Sequence, residues 1–412
     1  MRHGGLLRFA GWAVIGLFLA VSAPARADGL VQADVLYNGY YQSVLGDCSG
    51  CHTKAGGALL AGGDPIETPF GTIVPPNITP DVETGIGRWS LEDFRGAMHR
   101  GIGRGGKRLY PAMPYPYYAL MPQRDVDALW TWLQTVPPVS NAVEANLLPF
   151  PFNEREAMAG WNEINFRPGP FQRDPDRSDQ WNRGAYLVRG PGHCAACHSP
   201  KNVTGGDVAD RYLQGALLQG WFAPEITGDA WRGLGGWSEE EIVAYLATGT
   251  SGRAVASGPM REVIEASTSK MKNDDLRAIA TYLKSLAGSD GARPTPVAAD
   301  NPRMVAGGAV YRDNCAACHG TDGDGARNLI PALAGSAAVQ QEMTDTLARV
   351  VIEGVQGASS DKAPTAPAMP ALGWRLSDAE VADVLTYIRN SWGNAAAEVE
   401  ARSVEDVRAK LK

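Results

Sequence analysis

The sequence predicts an all-α chain of three tandem helical domains joined by long loops. Three observations carry this. One five-residue motif, Cys-x-x-Cys-His, occurs three times. A helix with apolar residues at i, i+3, i+4 and i+7 follows each copy. The 412 residues are 44% hydrophobic and 20% charged, with 48 Gly and 28 Pro. That composition suits several compact cores with much connecting loop, and it excludes wholesale disorder.

The N-terminus reads as an export signal over residues 1–27. Arg2 and Arg8 begin it, residues 9–21 form an apolar run, and Ala25-Arg26-Ala27 is a small-x-small cleavage site before Asp28. The run is shorter than the roughly 20 residues of a membrane-spanning helix. An uncleaved anchor is the alternative, and no later segment is long and apolar enough to span.

The first domain is expected over residues 28–150, the second over 165–288 and the third over 300–393, with a polar tail at 394–412. Each has a glycine and an aromatic before its motif: Gly39 and Tyr41, Gly184 and Tyr186, Gly307 and Tyr311. The small residue lets this helix cross the downstream helix closely, and the aromatic is expected to pack on that partner. The downstream helices align from Asp125, Asp275 and Glu380, and an acid at each start suits the helix dipole. Ser90 with Asp93, Ser238 with Glu241 and Ser377 with Glu380 have capping-box spacing and start helices. Pro-rich connectors over residues 149–175 and 288–302 separate the domains.

All six cysteines fall in the motifs Cys48-Ser49-Gly50-Cys51-His52, Cys194-Ala195-Ala196-Cys197-His198 and Cys315-Ala316-Ala317-Cys318-His319. This is the attachment signature of c-type haem. Two thiols add across the two vinyl groups, and the adjacent His52, His198 or His319 becomes the proximal iron ligand. A disulfide or zinc framework would leave the three adjacent histidines unexplained, and a thioredoxin-like site would not recur three times. The motifs stand 146 and 121 residues apart, which suits one covalent haem c per domain, three in all.

A haem that only carries electrons has a second protein ligand, and methionine there raises its potential. Met113 and Met260 stand 61 and 62 residues after their motif histidines, and Met369 stands 50 after its own. Each adjoins a proline, Pro114, Pro259 or Pro370, which would stiffen a loop and hold the thioether towards iron. Met98, Met271 and Met343 are the competitors, and core packing is the plain alternative. His99 and His193 read as surface or pocket residues.

The formal net charge is −7, which makes nucleic acid a poor partner. Gly101-Ile102-Gly103-Arg104-Gly105-Gly106 fits a dinucleotide fingerprint but follows a helix rather than a strand, so it reads as a loop.

The chain resembles the triheme cytochrome c subunits of membrane-bound bacterial dehydrogenases, which serve alcohol, gluconate, sorbitol, fructose and aldehyde dehydrogenases. The resemblance rests on Thr68-Pro69-Phe70-Gly71-Thr72-Ile73, Asn77-Ile78-Thr79-Pro80-Asp81 and Leu109-Tyr110-Pro111-Ala112-Met113-Pro114-Tyr115. It continues through Leu148-Pro149-Phe150-Pro151-Phe152-Asn153, Gly258-Pro259-Met260 and Ile388-Arg389-Asn390-Ser391-Trp392-Gly393-Asn394. It implies three class I cytochrome c-like domains, each wrapped round one haem, with no catalytic residues. The partners it implies are a dehydrogenase catalytic subunit using PQQ, flavin or molybdenum, with a small third subunit admitted, and ubiquinone as acceptor. The place it implies is the periplasmic face of the bacterial cytoplasmic membrane, as a peripheral protein. The tail after Gly393 carries only a sparse stripe of Val399, Val404, Val407 and Leu411, at best a weak interfacial helix. A free periplasmic shuttle to a terminal oxidase is the alternative. So is a peroxidase-like haem enzyme, should one haem lack its methionine.

Overall fold

Three helix crossings organise the chain. The computed structural model describes residues 1, 24–289 and 291–411. Helix α1 (Pro24–Leu45) packs on α2 (Gln123–Leu133), α3 (Asp179–Arg189) on α4 (Asn273–Ser285), and α5 (Pro302–Asn314) on α6 (Asp378–Ile388). The expected glycine stands at each crossing. A Cβ on Gly39 would lie 2.1 Å from Ala128 O, on Gly184 1.9 Å from Ala278 O, and on Gly307 2.0 Å from Asp383 O. Backbone carbonyls cannot yield at such distances, so any side chain here would drive the two helices apart. One turn further along the second helix the wall is an aromatic each time: Trp132, Tyr282 or Tyr387. The three expected capping boxes are present and open the helices Leu91–Arg100 and Glu239–Thr248 and α6.

The aromatics that accompany the glycines depart from expectation. Tyr41 and Tyr186 do not serve their own helix pair; each reaches into the other. Tyr41 Oη donates to Asp275 Oδ2 at 2.6 Å, and Tyr186 Oη to Asp125 Oδ2 at 3.4 Å. Asp125 and Asp275 hold the same place in α2 and α4, so the contacts are reciprocal. Arg183 adds two bonds to Asp275, at 2.7 and 2.8 Å. One buried core runs through this junction, joining Tyr41, Val44 and Leu45 to Leu187, Leu276 and Leu283. Only Tyr311 stays at home, against Tyr387 and Trp392, with its hydroxyl donated to Gly320 O at 2.7 Å.

Three other expectations are corrected. The chain is not wholly helical: β1 (Ile66–Thr68) pairs with β2 (Gly71–Ile73), β3 (Gln214–Leu218) with β4 (Trp221–Glu225), and β5 (Val355–Gln356) with β6 (Ala368–Met369), all antiparallel. Strands of two to five residues are too short for alternation to register in the sequence. The first connector contains a helix, Ala157–Asn165, whose Trp161 packs edge-on to Tyr115 and donates to Thr204 O at 2.8 Å. The tail forms α7 (Ala401–Lys410), and its apolar stripe faces protein: Val399, Val404 and Val407 are buried with Val351 and Leu385. Arg408 locks it by donating to Asp378 Oδ1, Gly373 O and Leu376 O at 2.6, 2.8 and 2.9 Å. Among the described residues no helix is long and apolar enough to cross a membrane. The export-signal reading falls on residues 1–27, of which 2–23 lie outside the described residues.

Candidate haem-binding sites

Each motif forms one short helical turn, Cys48–His52, Ala195–His198 and Ala316–His319, and all six cysteines are free. Residues three apart share a helix face, so both thiols of a motif are presented together. Burial pushes the thiols of Cys48 and Cys194 up to about 12, and that of Cys315 to about 11. They are neutral thiols rather than the thiolates of a zinc site.

The three motif histidines share one arrangement. His52 Nδ1 lies 2.7 Å from Pro76 O, His198 Nδ1 2.7 Å from Pro224 O, and His319 Nδ1 3.2 Å from Pro331 O. A carbonyl only accepts, so Nδ1 carries the hydrogen and Nε2 keeps its lone pair. Burial lowers the pKa of each imidazole, which keeps it neutral. A neutral ring with a settled tautomer and orientation is what an iron ligand requires.

The accepting prolines are positioning residues that the motif reading missed. A signal existed: Pro76-Asn77-Ile78-Thr79 matches Pro224-Glu225-Ile226-Thr227, and the third segment has Pro331-Ala332-Leu333. The residue after the proline ties this loop to the chain leaving the domain. Asn77 Nδ2 donates to Val139 O at 2.7 Å, while the Glu225 carboxylate accepts from Ser289 N and Oγ at 3.0 and 2.8 Å. In the third segment Asn394 does this from the far side, donating to Leu333 O at 2.8 Å.

A cavity of about 2700 Å³ opens beside the first two motifs. Cys48, Cys51, His52 and Met113 line one end with Ile78, Ile86, Trp89 and Phe94, and the cavity continues past His193 and Cys197 to Phe222. It is well beyond the roughly 300–1,000 Å³ of an ordinary ligand pocket. Paired thiols, a neutral imidazole and a thioether around an apolar space fit a covalent haem, and paired thiols with a neutral imidazole recur at the other motifs.

The methionines divide. Met113 is half-buried in the loop before Pro114 and shares the cavity with its motif. Met369 lies on β6, half-buried against the third core with Val310 and Leu347. Met260 is not in a loop: it is the second residue of the helix Pro259–Ala266, which a left-handed Gly258 at φ 55° and Pro259 begin. It packs beside Ala256, Ile264 and Ala358 and does not line the large cavity, whereas two of the competitors, Met98 and Met343, do. Met98 and Met271 are buried core residues, as helix packing demands. His99 is half-buried with Nε2 3.1 Å from Met121 O, and His193 is half-buried where it lines the cavity between the first two motifs.

The comparisons with known proteins agree with this chemistry. The cytochrome c family profile matches residues 182–287 and 304–392. The chain is 40% identical over 409 residues to the gluconate 2-dehydrogenase cytochrome c subunit of Pantoea cypripedii, covering 94% of this chain and 92% of that one. It is 37% identical over 423 residues to the cytochrome c subunit of the quinone alcohol dehydrogenase of Gluconobacter oxydans, covering 97% and 87%. It is also 35% identical over 398 residues to the fructose dehydrogenase cytochrome subunit of Gluconobacter japonicus, covering 90% and 82%.

Proposed function

This chain belongs to the family of dehydrogenase cytochrome c subunits, and from that premise we propose that it is a triheme electron-transfer subunit. It takes electrons from a periplasmic dehydrogenase subunit that uses PQQ, flavin or molybdenum, and delivers them to ubiquinone. The observation that carries the reading is the threefold recurrence of one unit: paired thiols, then an imidazole whose Nδ1 is tied to a proline carbonyl.

When bound, haem c supplies a one-electron carrier whose potential a methionine ligand raises. The protein supplies everything else. Cys48 and Cys51, Cys194 and Cys197, and Cys315 and Cys318 hold the three groups. His52, His198 and His319 would give their Nε2 atoms, and Met113, Met260 and Met369 their sulfurs. The apolar walls of Ile78, Ile86 and Phe94 exclude water from the first site. Residues 28–150, 165–288 and 300–393 are the three domains, the last completed by α7, and they are exported to the periplasmic face of the membrane. The apolar stripe of α7 is spent on the third core, and contact with the dehydrogenase helps hold the chain at the membrane.

The test is deletion of this chain with the catalytic subunit retained. Substrate oxidation with an artificial dye should survive, and substrate-driven reduction of quinone should stop. Unchanged quinone reduction, or substrate turnover by the purified cytochrome alone, overturns the proposal.

A further inference from the structure

The junction of the first two segments places their motifs front to front. His193 stands directly before Cys194 and Asp47 directly before Cys48, and both are left-handed, at φ 35° and 49°. Such backbone is uncommon outside glycine and persists where surrounding contacts demand it. In the third segment the corresponding residue, Asn314, ends helix α5 without positive φ, and its amide donates locally to Val310 O at 2.9 Å.

One carbonyl joins the two motifs directly. His193 Nε2 lies 3.4 Å from Gly46 O, two residues before Cys48, and Tyr118 Oη donates to the same oxygen at 2.7 Å. The Tyr118 and His193 rings meet edge to face, 5.7 Å between centroids. Ser267 Oγ donates to the neighbouring Val44 O at 2.6 Å, fixing this end of α1 to the second segment. Burial lowers the His193 pKa, so the ring is neutral and adds no charge between the sites. Cys51 and Cys197 line the same cavity, so the far ends of the two motifs open onto one space as well.

We infer that the first two attachment sites form one electronic unit, with the His193 ring as the bridge between them. The route runs from Cys194 through the His193 side chain, across its hydrogen bond to Gly46 O, and along Gly46 and Asp47 to Cys48. Electron tunnelling decays more gently through bonds and hydrogen bonds than across gaps, so a ring placed here couples the sites more strongly than a void of the same length. Tyr41 with Asp275, and Tyr186 with Asp125, keep the two segments in register so that the bridge closes. The third segment meets the second through a different contact, Glu225 N donating to Gln341 Oε1 at 3.5 Å, one residue from the carbonyl that holds His198. The inference rests on the triheme reading above.

The test uses the full-length holoprotein with His193→Asn, which tolerates left-handed backbone but is too short to reach Gly46, and with His193→Phe, which fills the ring's space without a donor. Haem content is read by intact mass, and the three midpoint potentials by redox titration. The rate at which an electron injected by pulse radiolysis redistributes between the first two haems is then measured. The expected result is three haems, unshifted midpoints, and a several-fold slower redistribution in either variant that retains its haems. An unchanged rate in such a variant overturns the inference. A haem count other than three in the unaltered protein overturns instead the reading on which it rests.

Discussion

Tyr41 and Tyr186 stand two residues after the glycines at which their helices cross, whereas Tyr311 stands four after its own. At 3.6 residues per turn, two residues are about 200° round the helix and four about 40°. The first two rings therefore face away from their helix partner and meet the neighbouring segment, and the third faces its partner and stays. The acid at the head of the second helix follows suit. Asp125 and Asp275 receive the visiting tyrosines, while Glu380 in the same place closes a capping box on Ser377. The first two helix pairs thus serve as each other's packing surface. The third closes itself with its own C-terminal chain, through α7. A two-residue difference in spacing separates a segment built to pair from one built to stand beside the pair.

The largest test of this contrast is at what the three segments share. Gly39→Val, Gly184→Val and Gly307→Val should each cost more than about 3 kcal/mol, because the added atoms meet backbone at about 2 Å. Soluble yield and haem per chain should fall alike for all three. A mild effect at one would mean that its crossing is not built as the others are.

Asp275→Ala should cost about 2–3 kcal/mol, since it leaves the Tyr41 hydroxyl and the part-exposed Arg183 without their acceptor. Glu380→Ala, which removes only a cap, should cost about 1 kcal/mol. Urea unfolding of the holoprotein measures both. The pH dependence has a definite sign. Burial alone would raise the Asp275 pKa, but the bonds from Arg183 and Tyr41 outweigh it, and the folded pKa is lowered. Its stabilisation is therefore present above the unfolded value of about 3.9 and lost as pH falls through the folded value. The gap between the unaltered protein and Asp275→Ala should be flat from neutral pH down to the unfolded value of about 3.9 and narrow from there through the folded value. A gap that widens in acid would reverse the assignment.

Val404→Ala should cost about 2 kcal/mol by opening a hole in the third core, and should leave the Tyr41–Asp275 junction as it was. Hydrogen exchange would show loosening confined to α5, α6, α7 and the helix Asp345–Glu353 packed on them. Smallest of all is the difference between the two reciprocal contacts. Tyr41→Phe should cost about 2 kcal/mol and Tyr186→Phe about 0.5 kcal/mol, because the first bond is 2.6 Å and the second 3.4 Å. Equal losses would make the junction more symmetric than its geometry.

Much of the site could be read from residue order alone. Covalent attachment needs two thiols and an imidazole within five residues, so Cys48, Cys51 and His52 and their two counterparts announce themselves. The crossing glycines and capping serines were legible for the same reason: each acts within one helix or on the helix next to it. The proline acceptors were legible but overlooked, since Pro-x-Ile-Thr repeats without any residue that suggests chemistry. Met260 stands in a helix where a loop was expected, because a proline that stiffens a loop can equally begin a helix.

Local chemistry thus settled the cofactor class and the three helix pairs, because each rests on groups a few residues or one helix contact apart. Tertiary structure alone decided which way the tyrosines face, where the valine stripe of α7 is buried, and that His193 meets Gly46. Those outcomes depend on residues separated by up to 234 positions, as in the Tyr41–Asp275 bond. No spacing rule within one segment can fix a contact whose second half lies in another, because burial is won only when both surfaces have already formed.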